Sequence, residues 1–214
     1  MYYLDLGIVL RYRDINENDR IVTVFTKNYG RVEILFKGVK KTEAKLRGIS
    51  EFFTYSAFRL YMKKYGAIPL CIGGNIIDSY PEIRSDFKKI YTMMLLSSVV
   101  ISLTPLFQKS EEKFELLLSS LNYLRNNSSI SDWFVVVFIA NLLNYCGIGF
   151  KETNIGYDSN FWSILHSSDF LGIDELKKYD DIKYEVLEIF INKINENFNQ
   201  NYRIDNFIKI LEAV

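Results

Sequence analysis

The chain is poor in cysteine, histidine and proline, and each scarcity excludes a class of protein. Two cysteines in 214 residues, Cys71 and Cys146, form no CxxC pair, so they build neither a disulfide framework nor a cysteine-ligated zinc site. A reduced, cytoplasmic setting fits that usage. The single histidine, His166, has no partner at metal-ligand spacing and removes HExxH centres and His-based triads. GxxxxGK[ST], GxGxxG and GxSxG are also missing. Carboxylate pairs such as Glu111-Glu112, Asp174-Glu175 and Asp180-Asp181 fall at expected helix starts, where they offset the positive end of the helix dipole. No catalytic residue, metal or cofactor is expected, and binding is favoured over enzymatic turnover. Long apolar runs are lacking too: the two richest stretches, residues 93–103 and 133–143, are short of the roughly 18 residues a membrane span requires. The leading MYYLDLGIVL has no basic region or small-residue cleavage site, and Asp5 interrupts it, so neither signal peptide nor membrane contact is expected.

What the chain has is core. Apolar residues make up 49% and aromatics 15%, enough for one large domain or two small ones. Net charge is zero, with 26 basic and 26 acidic side chains. That total conceals a division: residues 1–80 carry +5 and residues 81–214 carry −5. A basic part set against an acidic one is a hint of contact with a polyanion.

The first eighty residues read as strands, at about 7–12, 20–26, 31–37, 52–62 and 68–77, where β-branched and aromatic residues alternate with polar ones. Asn28 and Gly30 supply the backbone freedom of a tight hairpin, and Gly73-Gly74 permits a bulge. Five short strands fit a small barrel. Beyond Pro81 the apolar period lengthens to that of helices: one running to Leu103, one capped by Ser110, an apolar one at 131–145 expected to centre a second core, and two amphipathic ones at 181–198 and 203–212. Residues 149–172 read as an irregular connector. The class is α+β, divided into 1–80 and 81–214.

The segment most suggestive of function is GRVEILFKGVKKTEAKLR, residues 30–47. Val32, Ile34 and Phe36 share one face of a strand while Arg31, Glu33 and Lys37 share the other. Lys40, Lys41, Lys45 and Arg47 follow, with only Glu43 opposing, a local positive potential that attracts phosphate. With Arg11 and Arg13 these side chains form the candidate grip for a nucleic-acid backbone. Tyr29, at the hairpin tip, is the aromatic proposed for base stacking, with packing against the neighbouring turn as the alternative.

These residues also carry a resemblance. Val9-Leu10, Phe25-Thr26, Tyr29-Gly30 and Lys37-Gly38 followed by Lys40 and Lys41, then LRG and a Phe-rich strand, are similar to the amino-terminal oligonucleotide-binding (OB) domain of the bacterial RecO family. LLNYCGIGF and FNQNYRIDNFIKIL resemble its later helices more weakly. The resemblance implies an OB-fold barrel followed by an all-α domain. It also implies a non-enzymatic DNA-repair protein that binds single-stranded DNA, works with RecR and helps load the RecA recombinase onto strands coated by single-strand-binding protein. Strand annealing is implied as well. Lys37, Lys40 and Lys41 match the family's DNA-contacting basic segment by position.

The chain departs from the family pattern in two places. Many members carry a four-cysteine zinc module in the second domain, whereas residues 151–172 contain no cysteine. The helix before the Gly-rich turn usually includes an arginine suited to the acidic tail of single-strand-binding protein, but residues 133–145 contain no basic side chain. Lys109, Lys113 or Arg125 would have to supply that charge. The alternative reading is a protein-protein adaptor whose lysines touch no nucleic acid.

Overall fold

The computed structural model describes residues 1–149 and 158–212. The chain divides into two units, Met1–Pro81 with Thr104–Phe114, and Glu82–Leu103 with Glu115–Val214. The barrel unit thus takes in a segment that the sequence reading had placed among the helices.

The first unit is a closed barrel of β1 (Tyr2–Asp14), β2 (Arg20–Thr26), β3 (Gly30–Phe36), β4 (Tyr55–Tyr61) and β5 (Leu70–Asp78), in the order β1-β2-β3-β5-β4. β1 serves two neighbours: residues 2–8 pair antiparallel with β4, and residues 7–14 with β2. β3 meets β5 in parallel at Leu35 and Leu70. Side chains at alternate positions fill the interior, among them Val22, Val24, Val32, Ile34, Phe36, Phe58 and Leu60, all fully buried. β3 alternates buried and half-buried positions along its whole length, as its sequence predicts.

β1 begins five residues before the expected strand because its first half has inverted polarity. Tyr2 and Leu4 are 74% and 69% exposed, whereas Asp5 is buried. The Asp5 carboxylate accepts bonds from the Leu6 amide and from the backbone and side-chain nitrogens of Asn28, so the buried charge is satisfied and ties β1 to the β2–β3 turn.

Two glycines are required by close approach of backbone. A Cβ on Gly74 would lie 2.5 Å from the Ala57 carbonyl oxygen, beside the register shift in β4–β5. Gly30 has φ +65°, and a Cβ there would lie 1.8 Å from the Gln108 oxygen. Gln108 belongs to a strap that lies along β3: Leu106 bridges Arg31 in parallel, and the Phe107 amide donates to the Arg31 carbonyl at 2.9 Å. The strap occupies the edge of β3 where β5 has not yet joined, so backbone groups there find partners.

The described residues of the rest form α1 (Pro81–Arg84), α2 (Phe87–Leu103), α3 (Glu111–Asn126), α4 (Phe134–Tyr145), α5 (Ser159–Leu165), a 3₁₀ helix (Ile173–Ile182), α6 (Lys183–Phe198) and α7 (Ile204–Glu212). Ser110 caps α3 as expected, accepting from the Lys113 amide. α4 is the centre of the second core, with Phe134 through Leu143 all buried. Tyr123 stacks on Phe134 at 4.6 Å, and the buried Trp133 indole donates to Asp180 at 2.7 Å. The expected irregular connector contains a helix: Asp158 caps α5 by accepting from the Phe161 amide. Its residues 150–157 lie outside the described residues.

Candidate nucleic-acid interface

Strand register decides where the basic side chains meet. A shift between Val9 and Arg11 turns the second half of β1 so that Tyr12 packs against the core and Arg11 and Arg13 are exposed. Pairing then sets Arg11 level with Thr23 and Glu33, Arg13 level with Ile21 and Leu35, and Arg31 level with Phe25. Arg13 reaches Glu33 at 3.8 Å. Arg31 is half-buried, with its Nε atom enclosed and unpartnered among the described residues. Burial holds its guanidinium below the usual basicity, Glu33 counteracting and Arg11 adding repulsion.

Beyond β3 the chain winds through successive turns: the amides of Lys41, Ala44, Arg47 and Ser50 donate in order to the carbonyls of Gly38, Lys41, Ala44 and Arg47. This winding puts Val39, Leu46 and Ile49 against the barrel core. Lys37, Lys40, Lys41, Lys45 and Arg47 remain exposed. The structure therefore arranges the predicted cations as a track along the strands, from Arg31 past Arg11 and Arg13 to the wound segment, and not as one cluster. Arg31 and Lys37 are six residues apart on extended chain, roughly 20 Å.

Against the wound segment lies the β1–β2 loop, which is acidic. Lys40 pairs with Asp14 at 2.9 Å and donates to the Asn16 carbonyl. Asp14 also binds Arg20, a buried guanidinium that reaches Glu51 and the Ser50 hydroxyl and lies 3.6 Å over the Tyr12 ring. Asp19 accepts from the Gly38 amide at 2.7 Å and from Asn16, and these bonds, with Lys37 and Lys41 nearby, hold its carboxyl below the ordinary range. Lys40 is thus largely neutralised, whereas Arg11, Lys37, Lys41, Lys45 and Arg47 make no ion pair with another described residue.

Tyr29 is half-buried, its ring 4.8 Å from that of Tyr3 and packed against the core cluster. In the second unit Arg125 is half-buried. Lys109 is exposed and Lys113 buried, so of the three cations considered for an acidic tail Lys113 is the least accessible. Sequence reading passed over the β4–β5 hairpin, which carries Lys63, Lys64 and Tyr65, all exposed. Its signal was available: residues 52–77 contain no Asp or Glu.

A family model described as Recombination protein O N terminal matches residues 1–80, the barrel strands, and a second, Recombination protein O C terminal, matches residues 84–154. The chain belongs to the RecO family. Among curated relatives, the DNA repair protein RecO of Halalkalibacterium halodurans is 28% identical over 148 residues, 69% of this chain and 57% of that protein. That of Bacillus pumilus is 32% identical over 152 residues, 68% of this chain and 55% of that protein. That of Mycoplasma capricolum is 26% identical over 214 residues, 92% of this chain and 86% of that protein. The matched part of the chain thus spans a little over half the length of the first two RecO relatives and most of the third.

Proposed function

We propose that this protein is a DNA-repair mediator that binds single-stranded DNA through the cationic track of its barrel. The observation carrying this reading is the alignment of Arg31, Arg11 and Arg13 with the wound segment along a closed five-stranded barrel in a chain of the RecO family. A barrel of this kind binds oligonucleotides by following their backbone with positive charge. In the reading that follows from the family, the protein acts without covalent chemistry, works with RecR to help load RecA onto strands coated by single-strand-binding protein, and promotes annealing. The acidic tail of the single-strand-binding protein is a further partner in that reading.

Fluorescence anisotropy with a labelled single strand tests the grip. Log affinity is expected to fall linearly with log salt, by about 0.7 for each phosphate neutralised. Replacing Lys37, Lys40 and Lys41 together with Ala is expected to weaken binding to all sequences alike. It should flatten the slope by about 2.1 if all three reach phosphates and by about 1.4 if Lys40 stays with Asp14. An unaltered chain that binds no oligonucleotide at low salt would leave the adaptor reading in its place.

A further inference from the structure

We infer that the β4–β5 hairpin, residues 62–69, is a second contact for single-stranded DNA, Tyr65 stacking a base while Lys63 and Lys64 hold flanking phosphates. The inference rests on the nucleic-acid reading above and extends it to residues that reading does not use.

Tyr65 is 68% exposed, yet it is not loose. Its ring rests 5.7 Å from that of Phe107. Phe107 is fixed in turn by the hydrogen bond its amide donates to the Arg31 carbonyl and by packing against the barrel core. An exposed aromatic supported from behind is a preformed stacking platform, because little side-chain freedom remains to be lost when a base arrives. By contrast, Tyr29 turns its ring onto Tyr3 and the core.

The electrostatics point the same way. Lys63 and Lys64 are exposed and pair with no other described residue. No carboxylate occurs in sequence between Glu51 and Asp78. The hairpin tip is open as well: Gly66 has φ +79° and nothing within 4 Å of where a Cβ would lie. Attraction for phosphate is therefore unopposed within the hairpin, whereas Lys40 already faces Asp14.

Position completes the argument. The Pro69 carbonyl accepts from the Leu35 amide at 2.8 Å, so the end of the hairpin is tied to β3, and Phe107 places Tyr65 at the Arg31 end of that strand. The hairpin and residues 37–47 thus bracket the track. A single strand anchored on Tyr65 passes Arg31 and Arg11 before it reaches the wound segment, a longer and more directional path than the basic segment provides alone.

The test uses the full chain, a fluorescent homothymidine single strand and a second strand carrying 5-iodouracil for photocrosslinking. Tyr65→Ala is expected to weaken binding roughly 5- to 150-fold, the range for loss of one stacked base. Its melting temperature should not move, because the ring is exposed. Tyr65→Phe should bind like the unaltered chain. Lys63→Gln with Lys64→Gln should lower the salt slope by about 1.4, and the crosslink should map to Tyr65. If Tyr65→Ala binds normally while the Lys37, Lys40 and Lys41 variant is weakened, the hairpin assignment is wrong and the grip stands. Failure of Tyr65→Phe to bind like the parent chain would refute stacking. If the unaltered chain binds no single strand, the grip itself fails and the hairpin with it.

Discussion

Residues 37–47 and the β4–β5 hairpin are both basic, but their charges are placed in opposite circumstances. The first lies against a loop carrying Asp14, Glu17 and Asp19, with Lys40 paired and Asp19 bonded to the Gly38 amide. The second stands where the sequence has no acid. The denser run of lysines is therefore the more compensated one. A charge run shows where cations are concentrated, and the fold decides which of them still attract a phosphate.

The most damaging way to break this comparison is to displace the support of the hairpin. Gly30→Ala forces a left-handed backbone on a residue that disfavours it and drives a methyl group into the strap at Gln108. A stability loss of more than about 2 kcal/mol is expected, measurable by urea denaturation, together with weaker single-strand binding as Phe107 no longer holds Tyr65. Undiminished stability would mean that the strap is a passive neighbour of β3.

Single-lysine replacements sharpen the contrast. Lys63→Gln is expected to reduce the salt slope by about 0.7, the full value for one phosphate contact, whereas Lys40→Gln should change it little because Asp14 already occupies that ammonium. Equal effects at the two positions would show that the acidic loop exerts no control. In the opposite direction, Asp14→Asn releases Lys40 and should steepen the slope by up to about 0.7. Arg20 keeps Glu51 and Ser50 as partners in that variant.

The smallest effect is on pH dependence. Hydrogen bonding from Lys40 holds the Asp14 carboxyl below its ordinary value, and bonding from Asn16 does the same for Asp19. A depressed folded value means that their stabilisation is present above the unfolded carboxylate range, near 4, and is lost as pH falls through the lowered values. Asp5 has the reverse sign. Burial raises its carboxyl, so its contribution is greatest when protonated and is lost as pH rises from near 4 through the raised folded value. Melting curves from pH 3 to 7 should show an acid-side decline that is shallower in an Asp14→Asn, Asp19→Asn double variant. A decline of unchanged steepness would assign it to other carboxylates.

Much of this was legible in the chain, and the gaps have physical causes. β2 matched its expected bounds because every residue from Arg20 to Thr26 suits a buried strand, and β3 was recognisable as a strand because it alternates cleanly. α4 was legible from its unbroken apolar composition. The first half of β1 was hidden because a carboxylate takes an interior position while Tyr2 and Leu4 lie outside, a reversal explained by the bonds that Asp5 accepts from Leu6 and Asn28. The helix at 159–165 was hidden by its length, seven residues with an Asp cap in a polar neighbourhood. Of the candidate site, the cations could be listed from the sequence, but their pairing states were not readable, because Asp14 and Lys40 are 26 positions apart in sequence and meet only when β1 and the wound segment converge.

The amino-acid sequence by itself determined the two-part composition, the five strands, the basic and acidic division and the residue types available to meet a phosphate backbone. These depend on local periodicity and on side-chain chemistry, which are properties of neighbours along the chain. Tertiary structure alone decided that residues 104–114 return to the barrel, that Tyr65 is supported by Phe107 while Tyr29 turns inward, and that Lys40 is neutralised where Lys63 and Lys64 are not. Those outcomes depend on groups far apart in sequence coming within a few ångströms of each other, the range over which charges and rings act most strongly.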